Sequence, residues 1–123
     1  MSKTRGTAVE RELIHLFWEK GWAACRVAGS GSMRYPSPDI LASNGTNLFA
    51  IECKSSRKDA IYIPLAEIKE LTSFALLFRA LPLVGTRFSK KEWRFVKPEM
   101  TATTEKFAVF KPDQGVSFDQ LTK

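Results

Sequence analysis

Apolar residues recur at helical spacing near the start of the chain. Val9, Leu13 and Phe17 fall on one face of a helix, which predicts an α-helix over about 7–20. Gly21 follows the last apolar position of this pattern and predicts the C-terminal end of the helix.

The pattern then changes to short apolar runs, which predict strands. The run 22–27 predicts a first strand, and the glycine-, proline- and serine-rich segment 28–38 predicts a long mobile loop. Two further runs, 39–42 and 46–54, flank the pair Asn44-Gly45. An Asn-Gly pair between apolar runs is the strongest short-range signal for a β-hairpin. A hairpin about this turn puts residues 39 and 50 roughly opposite, within one or two residues.

The second half of the chain predicts one more long helix and several strands. Pro64 predicts the start of a helix that runs to about Arg79, because proline is tolerated at the first helical position. Segment 116–121 predicts a helical turn. Three apolar runs predict strands, namely 81–86, 93–96 and 107–110. The order of elements predicts one α/β domain over 1–123, with a mixed central sheet and helices on its faces.

Composition narrows the class of protein. The chain has 123 residues, of which 44% are hydrophobic and 26% are charged, so a disordered basic tail is excluded. No apolar run approaches the ~18 residues of a membrane span, and no apolar segment marks a signal peptide. We therefore expect a cytoplasmic protein without a membrane partner. The net charge of +6 favours a polyanionic partner, above all nucleic acid.

The predicted hairpin brings together the residues with the clearest chemistry. Side chains alternate along a strand, so Glu52 and Lys54 share one face, and the hairpin places Asp39 beside Glu52. Two carboxylates next to a lysine predict a Mg²⁺ site, since Mg²⁺ takes one or two carboxylates together with substrate phosphate oxygens. Such a site suits phosphodiester hydrolysis. Lys54 would orient or deprotonate the attacking water, or neutralise developing charge.

The first helix contributes a further carboxylate. Glu10 shares the apolar stripe of Leu13, Ile14 and Phe17, and an inward-facing glutamate is unusual unless it has a partner. Metal coordination, directly or through water, would explain its position, and so would an inward salt bridge.

The second helix predicts a homodimer. Segment 74–78 reads FALLF and is apolar on every side, so we expect it to be buried on every side. A second copy of the chain would cover its outer face, although a strand or the tail of the same chain could do so instead. The predicted interface residues are Ile68, Leu71, Phe74, Leu77 and Phe78.

These motifs together resemble a known family. The pattern Pro38-Asp39 followed by Glu52-Cys53-Lys54 resembles the PD-(D/E)xK motif of the restriction-endonuclease-like nuclease superfamily. The resemblance is closer to the archaeal Holliday junction resolvases. It extends over GTAVEREL at 6–13, Arg26-Val-Ala-Gly-Ser30, Trp93-Arg94-Phe95 and Gly115-Val116-Ser117.

The resemblance implies a role for each matching residue. Asp39 and Glu52 match the metal-binding acids, Glu10 matches a helix carboxylate near the metal, and Lys54 matches the catalytic lysine. A loop serine, Ser30 or the nearby Ser32, matches one that approaches the scissile phosphate. The implied enzyme is a Mg²⁺-dependent endodeoxyribonuclease that works as a homodimer. Its two active sites cut opposed strands of a four-way DNA junction at the nucleoid and leave nicked duplexes.

Basic residues near these segments are predicted to bind DNA. Arg11 and Arg26 match family positions needed for junction binding or cleavage. The full predicted set is Arg5, Arg11, Arg26, Arg34, Arg57 and Lys58. We expect phosphate contacts to supply affinity, and branch shape to supply selectivity.

Two other functions remain open at this point. The chain could be another PD-(D/E)xK nuclease acting on linear duplex, although it offers little room for a base-reading module. It could also be a basic dimer that only binds or bends junctions. Intact Asp39, Glu52 and Lys54 argue against a pure binder, because carboxylates near phosphates do not help binding.

Overall fold

The computed structural model describes residues 3–27 and 35–123, and of residues 3–5 the backbone alone. These residues form three α-helices: α1 (Lys3–Glu19), α2 (Leu65–Phe78) and α3 (Phe118–Leu121). The first strands are β1 (Ala23–Arg26), β2 (Ile40–Ser43), β3 (Leu48–Ser56) and β4 (Ile61–Pro64). The later strands are β5 (Leu81–Phe88), β6 (Arg94–Val96), β7 (Ala102–Thr103), β8 (Phe107–Phe110) and β9 (Val116–Ser117), with a 3₁₀ turn at Pro98–Met100.

The strands form two sheets. The larger has the order β1-β2-β3-β5-β6-β9, and the smaller has the order β4-β8-β7. In the larger sheet β3 and β5 are parallel, whereas the other neighbours are antiparallel. The predicted mixed sheet is therefore confirmed. No described helix is long and apolar enough to cross a membrane.

Each face of the larger sheet carries its own core. On one face, Leu13 and Phe17 of α1 pack with Ile40 and Ile51, and α3 joins them through Phe118. On the other face, α2 and the smaller sheet pack against β3 and β5. The fully buried members of this second core include Ala50, Ile63, Ala75, Val84 and Phe110. The predicted helices on both faces are thus confirmed.

Helix α1 ends where the sequence predicts. The amide of Trp22 donates to the Phe17 carbonyl at 3.0 Å, and the amide of Gly21 donates to the Trp18 carbonyl at 3.1 Å. This is a Schellman motif, which requires a left-handed residue, and Gly21 has φ of +83°. The start differs from the prediction, because the helix begins at Lys3 and not near residue 7.

The hairpin forms, and its register lies within the predicted margin, two residues from the pairing of 39 with 50. Ile40 pairs with Ile51, a register that brings residue 39 opposite residue 52. The turn spans residues 44–47, because the Asn44 side chain accepts from the amides of Thr46 at 2.9 Å and Asn47 at 2.7 Å. A two-residue turn would have given the predicted pairing of 39 with 50. The longer turn brings Asp39 and Glu52 even closer together than predicted.

Two other predictions need correction. Pro64 is the last residue of β4 and precedes α2, so it is not the first helical residue. Strand β4, and hence the smaller sheet, was not predicted, because Pro64 at its end predicts the start of the following helix instead. Strand β8 is confirmed and pairs with β4. Of the predicted loop 28–38, residues 28–34 lie outside the described part of the chain.

A buried hydroxyl on β5 gives a prediction about stability. Thr86 is fully buried, and its Oγ1 has no hydrogen-bond partner among the described residues. We expect Thr86→Val to raise the free energy of unfolding by about 1 kcal/mol, because valine has the same shape and removes an unpaired polar group. Urea denaturation of both proteins measures the difference.

Thr101→Val is the matched control with the opposite expected sign. The Thr101 hydroxyl donates to the Val109 carbonyl and accepts from Gln114 Nε2. Removing it should lower the free energy of unfolding by about 1 kcal/mol. A loss of stability in Thr86→Val as well would contradict the prediction and would mean that the Thr86 hydroxyl is hydrogen-bonded in solution.

Candidate active site

Asp39 is fixed at the start of β2 by backbone contacts on both sides. Its carboxylate Oδ2 accepts from the Cys53 amide at 2.8 Å, and its own amide donates to the Ile51 carbonyl at 3.0 Å. Its carbonyl accepts from the Val27 amide at 2.8 Å. These bonds hold the carboxylate against β3, next to Glu52.

Glu52 carries the strongest electrostatic perturbation of the site. Burial, followed by the negative charge of Asp39, raises its pKa to about 8, and a hydrogen bond with the Asp39 carboxyl contributes. Lys54 opposes the rise, whereas Glu67 adds to it. Two carboxyl groups in contact, with too little positive charge around them, favour either a shared proton or a bound cation.

Glu10 lies on the buried side of α1 and is paired with Arg26. Arg26 Nε donates to Glu10 Oε1 at 2.9 Å, and the Glu10 side chain is only 19% exposed. Burial and the charge of Asp39 raise the pKa of Glu10, while the bond to Arg26 lowers it. The inward salt bridge considered in the sequence analysis is therefore present. Glu10 is also close enough to Asp39 for their charges to interact.

Lys54 lies between two carboxylates on different elements. Its Nζ is 3.8 Å from Glu52 Oε2 and 3.5 Å from Glu67 Oε1. Glu67 was not predicted as a site residue, although its spacing along α2 gave a signal. Glu67 precedes Leu71 and Ala75 by four and eight residues, and these are the buried residues of α2. It therefore lies in line with the buried residues of α2, at the edge of the packed face, with its side chain 45% exposed.

The donor set suits a hard divalent cation. Within the described ranges, no three His, Cys, Asp or Glu residues form a group that could hold a metal ion. Mg²⁺ needs only one or two carboxylates, however, because it keeps several waters. The adjacent Asp39 and Glu52 carboxylates meet that requirement. Glu10 lies next to this pair, and its carboxylate is engaged in the salt bridge with Arg26.

The predicted DNA-binding residues fall into separate groups. Arg11 is exposed on α1, and Arg26 is about half-exposed beside Glu10. Arg57 and Lys58 are exposed directly after β3. The side chain of Arg5 is not described. Arg34, together with the candidate serines Ser30 and Ser32, lies outside the described residues.

A second pair of cations was missed by the sequence analysis. Lys90 and Lys91 follow β5 and are exposed. Because β3 and β5 are parallel neighbours, their ends meet, and the Ser89 amide donates to the Ser56 carbonyl at 2.9 Å. Lys90 and Lys91 therefore lie at the same end of the sheet as Arg57 and Lys58.

The predicted dimer residues divide between the core and the surface. Leu71 is 4% exposed inside the chain's own core, so it offers no surface to a second copy. Ile68 and Phe74 are half-buried against the same core. Leu77 is 88% exposed and Phe78 is 47% exposed, and Leu76, which was not predicted, is 79% exposed. We call these last three residues the α2 patch.

Comparisons with known proteins agree on one family. The family model of archaeal Holliday junction resolvases (Hjc) matches residues 1–123. The crossover junction endodeoxyribonuclease Hjc of Archaeoglobus fulgidus is 41% identical over 114 residues, covering 93% of this chain and 82% of that protein. The crossover junction endodeoxyribonuclease Hje of Saccharolobus solfataricus is 33% identical over 102 residues, covering 80% of this chain and 76% of that protein.

The fold is also similar to a solved structure. The structure of Archaeoglobus fulgidus Hjc, a Holliday junction resolvase from an archaeal hyperthermophile, matches with a TM-score of 0.90 and 33% identity. The match covers 95% of this chain and 99% of that chain. The predicted restriction-endonuclease-like α/β fold class is therefore confirmed.

Proposed function

Since this chain belongs to the archaeal Holliday junction resolvase family, we propose that it is an endodeoxyribonuclease that resolves four-way DNA junctions. It does so by paired, symmetric hydrolysis of two opposed phosphodiester bonds. The observation that carries the proposal is the Asp39–Glu52 carboxyl pair with Lys54 beside it, at one place on the sheet. The DNA substrate implies that the enzyme acts at the nucleoid.

The proposed metal is Mg²⁺, held by Asp39 and Glu52. When bound, it would polarise the scissile phosphate and lower the pKa of a water molecule. The hydrogen bond from the Cys53 amide orients the Asp39 carboxylate. This proposed metal ligand would therefore be in place before the substrate binds. The Lys54 ammonium, next to Glu52, would neutralise charge that develops on the phosphate or orient the attacking water. Arg26 orients Glu10 toward the site and partly compensates its charge.

DNA binding rests on charge rather than on base contacts. Two copies of a chain with net charge +6 carry about +12. The exposed cations Arg57, Lys58, Lys90 and Lys91 lie at the end of the sheet toward which β3 runs beyond Lys54. Contacts of these cations with phosphates would make affinity fall steeply with salt and would give little sequence preference.

The α2 patch is the proposed centre of the homodimer interface. Leu76 and Leu77 are exposed apolar side chains next to each other on a regular helix, where burial against a second copy would remove them from water. A two-fold dimer would give two active sites, as cleavage of two opposed strands requires.

Leu77→Arg tests this interface. We expect the substitution to raise the dimer dissociation constant about 30-fold or more, because symmetry places two new charges in the interface and central contacts each contribute about 2 kcal/mol. Analytical ultracentrifugation measures the change. Met100→Arg is the control, since Met100 is 72% exposed and belongs to the 3₁₀ turn Pro98–Met100 and not to α2. A dimer equally stable in both variants would contradict the α2 interface.

The proposed activity is tested with a synthetic immobile four-way junction and a linear duplex of the same arm sequences. Each is incubated with the protein in Mg²⁺ or in a chelator. Incision of the junction alone, and only with metal, supports the proposal. Equal incision of the duplex would indicate a nuclease without junction selectivity, and tight binding without incision would indicate a junction-binding protein.

A further inference from the structure

Lys54 pairs with two carboxylates, of which only one belongs to the proposed metal site. Glu52 lies on the same strand and belongs to the carboxyl pair, whereas Glu67 comes from the first turn of α2. The Lys54 ammonium is closer to Glu67, at 3.5 Å, than to Glu52, at 3.8 Å. The side chain of Lys54 is 36% exposed, so its position depends on these partners rather than on tight packing.

The charge of Glu52 is not fully available to Lys54 during the reaction. If Glu52 binds a divalent cation, its negative charge is shared with that cation, which also repels the ammonium group. DNA phosphates close to the site would attract the ammonium group away from its position. Glu67 is then the anion that remains to hold Lys54 in place.

The fold fixes the backbone of Glu67, while its side chain is 45% exposed and free to reach Lys54. Leu71 and Ala75, one and two turns further along α2, are buried against the sheet that carries Glu52 and Lys54. Glu67 shares their face of the helix, so its backbone is held by the core of the chain. Its position in the first turn also suits the helix dipole, which stabilises a negative charge there.

We propose that Glu67 is a positioning residue for cleavage, which holds the Lys54 ammonium at the carboxyl pair when Glu52 is engaged. This role rests on the proposed nuclease function. It assigns Glu67 no contact with the DNA, so its loss should slow cleavage without weakening binding. Removing a negative charge near phosphates should leave junction affinity unchanged or increase it.

The test separates binding from cleavage. A labelled four-way junction is bound by excess protein, cleavage is started with Mg²⁺, and the rate constant of the bound complex is measured beside the dissociation constant. We expect Glu67→Ala to lower the rate constant about 10- to 100-fold, the usual effect of losing a residue that orients a reacting group. The rate constant of Glu67→Gln should fall less, because the glutamine amide oxygen can still accept a hydrogen bond from Lys54.

The controls exclude a general effect on α2. Glu70→Ala removes the same charge from an exposed position of the same helix. Glu70 forms no ion pair among the described residues. The Glu70→Ala variant should therefore cleave at the rate of the wild type. Thermal unfolding should show only a small loss for either variant, since the ion pair and the dipole interaction of an exposed glutamate contribute little to stability. A graded loss of rate with little loss of stability therefore identifies positioning.

Three results would overturn the inference. Glu67→Ala could cleave the bound junction as fast as the wild type, or Glu70→Ala could be equally slow. Lys54 could also keep its position in a crystal structure of Glu67→Ala. Failure of the wild type to cleave in any divalent metal is a separate outcome, since it removes the proposed function itself and this inference with it.

Discussion

We expect Glu52→Gln to lower the rate of junction cleavage about 10³-fold or more and to leave junction binding intact. The expected size follows from the several kcal/mol of transition-state stabilisation that a metal supplies at a phosphoryl centre. Glutamine keeps the shape of the side chain but removes the charge that would bind the cation. Since the Glu52 side chain is mostly buried, and since removing a negative charge does not weaken attraction to phosphates, affinity for the junction should not fall.

The measurement is a comparison of rate constants for a pre-bound junction at saturating Mg²⁺. Glu70→Gln, the same chemical change on the exposed side of α2, should behave like the wild type. Cleavage by Glu52→Gln at a rate close to that of the wild type would contradict the assignment of the Asp39–Glu52 pair as the metal site.

We expect the metal-free protein to lose stability as the pH rises from about 5 to about 8. The pKa of Glu52 is raised from 4.5 to about 8 in the folded chain, so the folded state holds a proton that the unfolded state has already lost. The corresponding stabilisation is fully present below pH 4.5 and disappears as the pH passes through 8. The free energy of unfolding attributable to Glu52 falls by at most about 1.4 kcal/mol per pH unit over this window.

Glu52→Gln isolates this contribution, because glutamine does not titrate. Urea denaturation in a chelator, repeated between pH 5 and pH 8, should show the variant gaining on the wild type as the pH rises. Mg²⁺ should reduce the difference, since a bound cation stabilises the charged form of the pair. Parallel pH profiles for the two proteins would mean that the pKa of Glu52 is not raised.

The sequence predicts which of Asp39, Glu52 and Lys54 lie together better than it predicts the details of the fold. Strand alternation alone placed Glu52 and Lys54 on one face, because that relation is local. The position of Asp39 depended on the hairpin register, which the Asn44 side chain shifts by two residues through its bonds to the turn. Asp39 nevertheless lies beside Glu52, because the shift moved it toward that residue.

The remaining site and interface residues could not be predicted, because they depend on contacts between residues that are distant in the sequence. Glu67 reaches Lys54 only through the docking of α2 on the sheet, which no local pattern specifies. The same docking explains why Leu71 belongs to the core, while Leu76 and Leu77 on other faces of the helix are exposed. An apolar segment alone does not reveal which of its faces the chain covers itself. Lys90 and Lys91 likewise join Arg57 and Lys58 only because β3 and β5 are parallel neighbours.

The most direct test of junction resolution by a dimer with two coordinated active sites uses a supercoiled plasmid that extrudes a cruciform. A cruciform is a four-way junction within closed circular DNA. Paired incision of opposed strands within one bound complex converts the plasmid directly to linear product. Independent incision releases the supercoiling after the first cut, the cruciform is reabsorbed, and nicked circles accumulate. We predict linear product in Mg²⁺ from the wild type, mainly nicked circles from Leu77→Arg, and uncut plasmid from Glu52→Gln. Nicked circles from the wild type would contradict resolution by a dimer with two coordinated active sites.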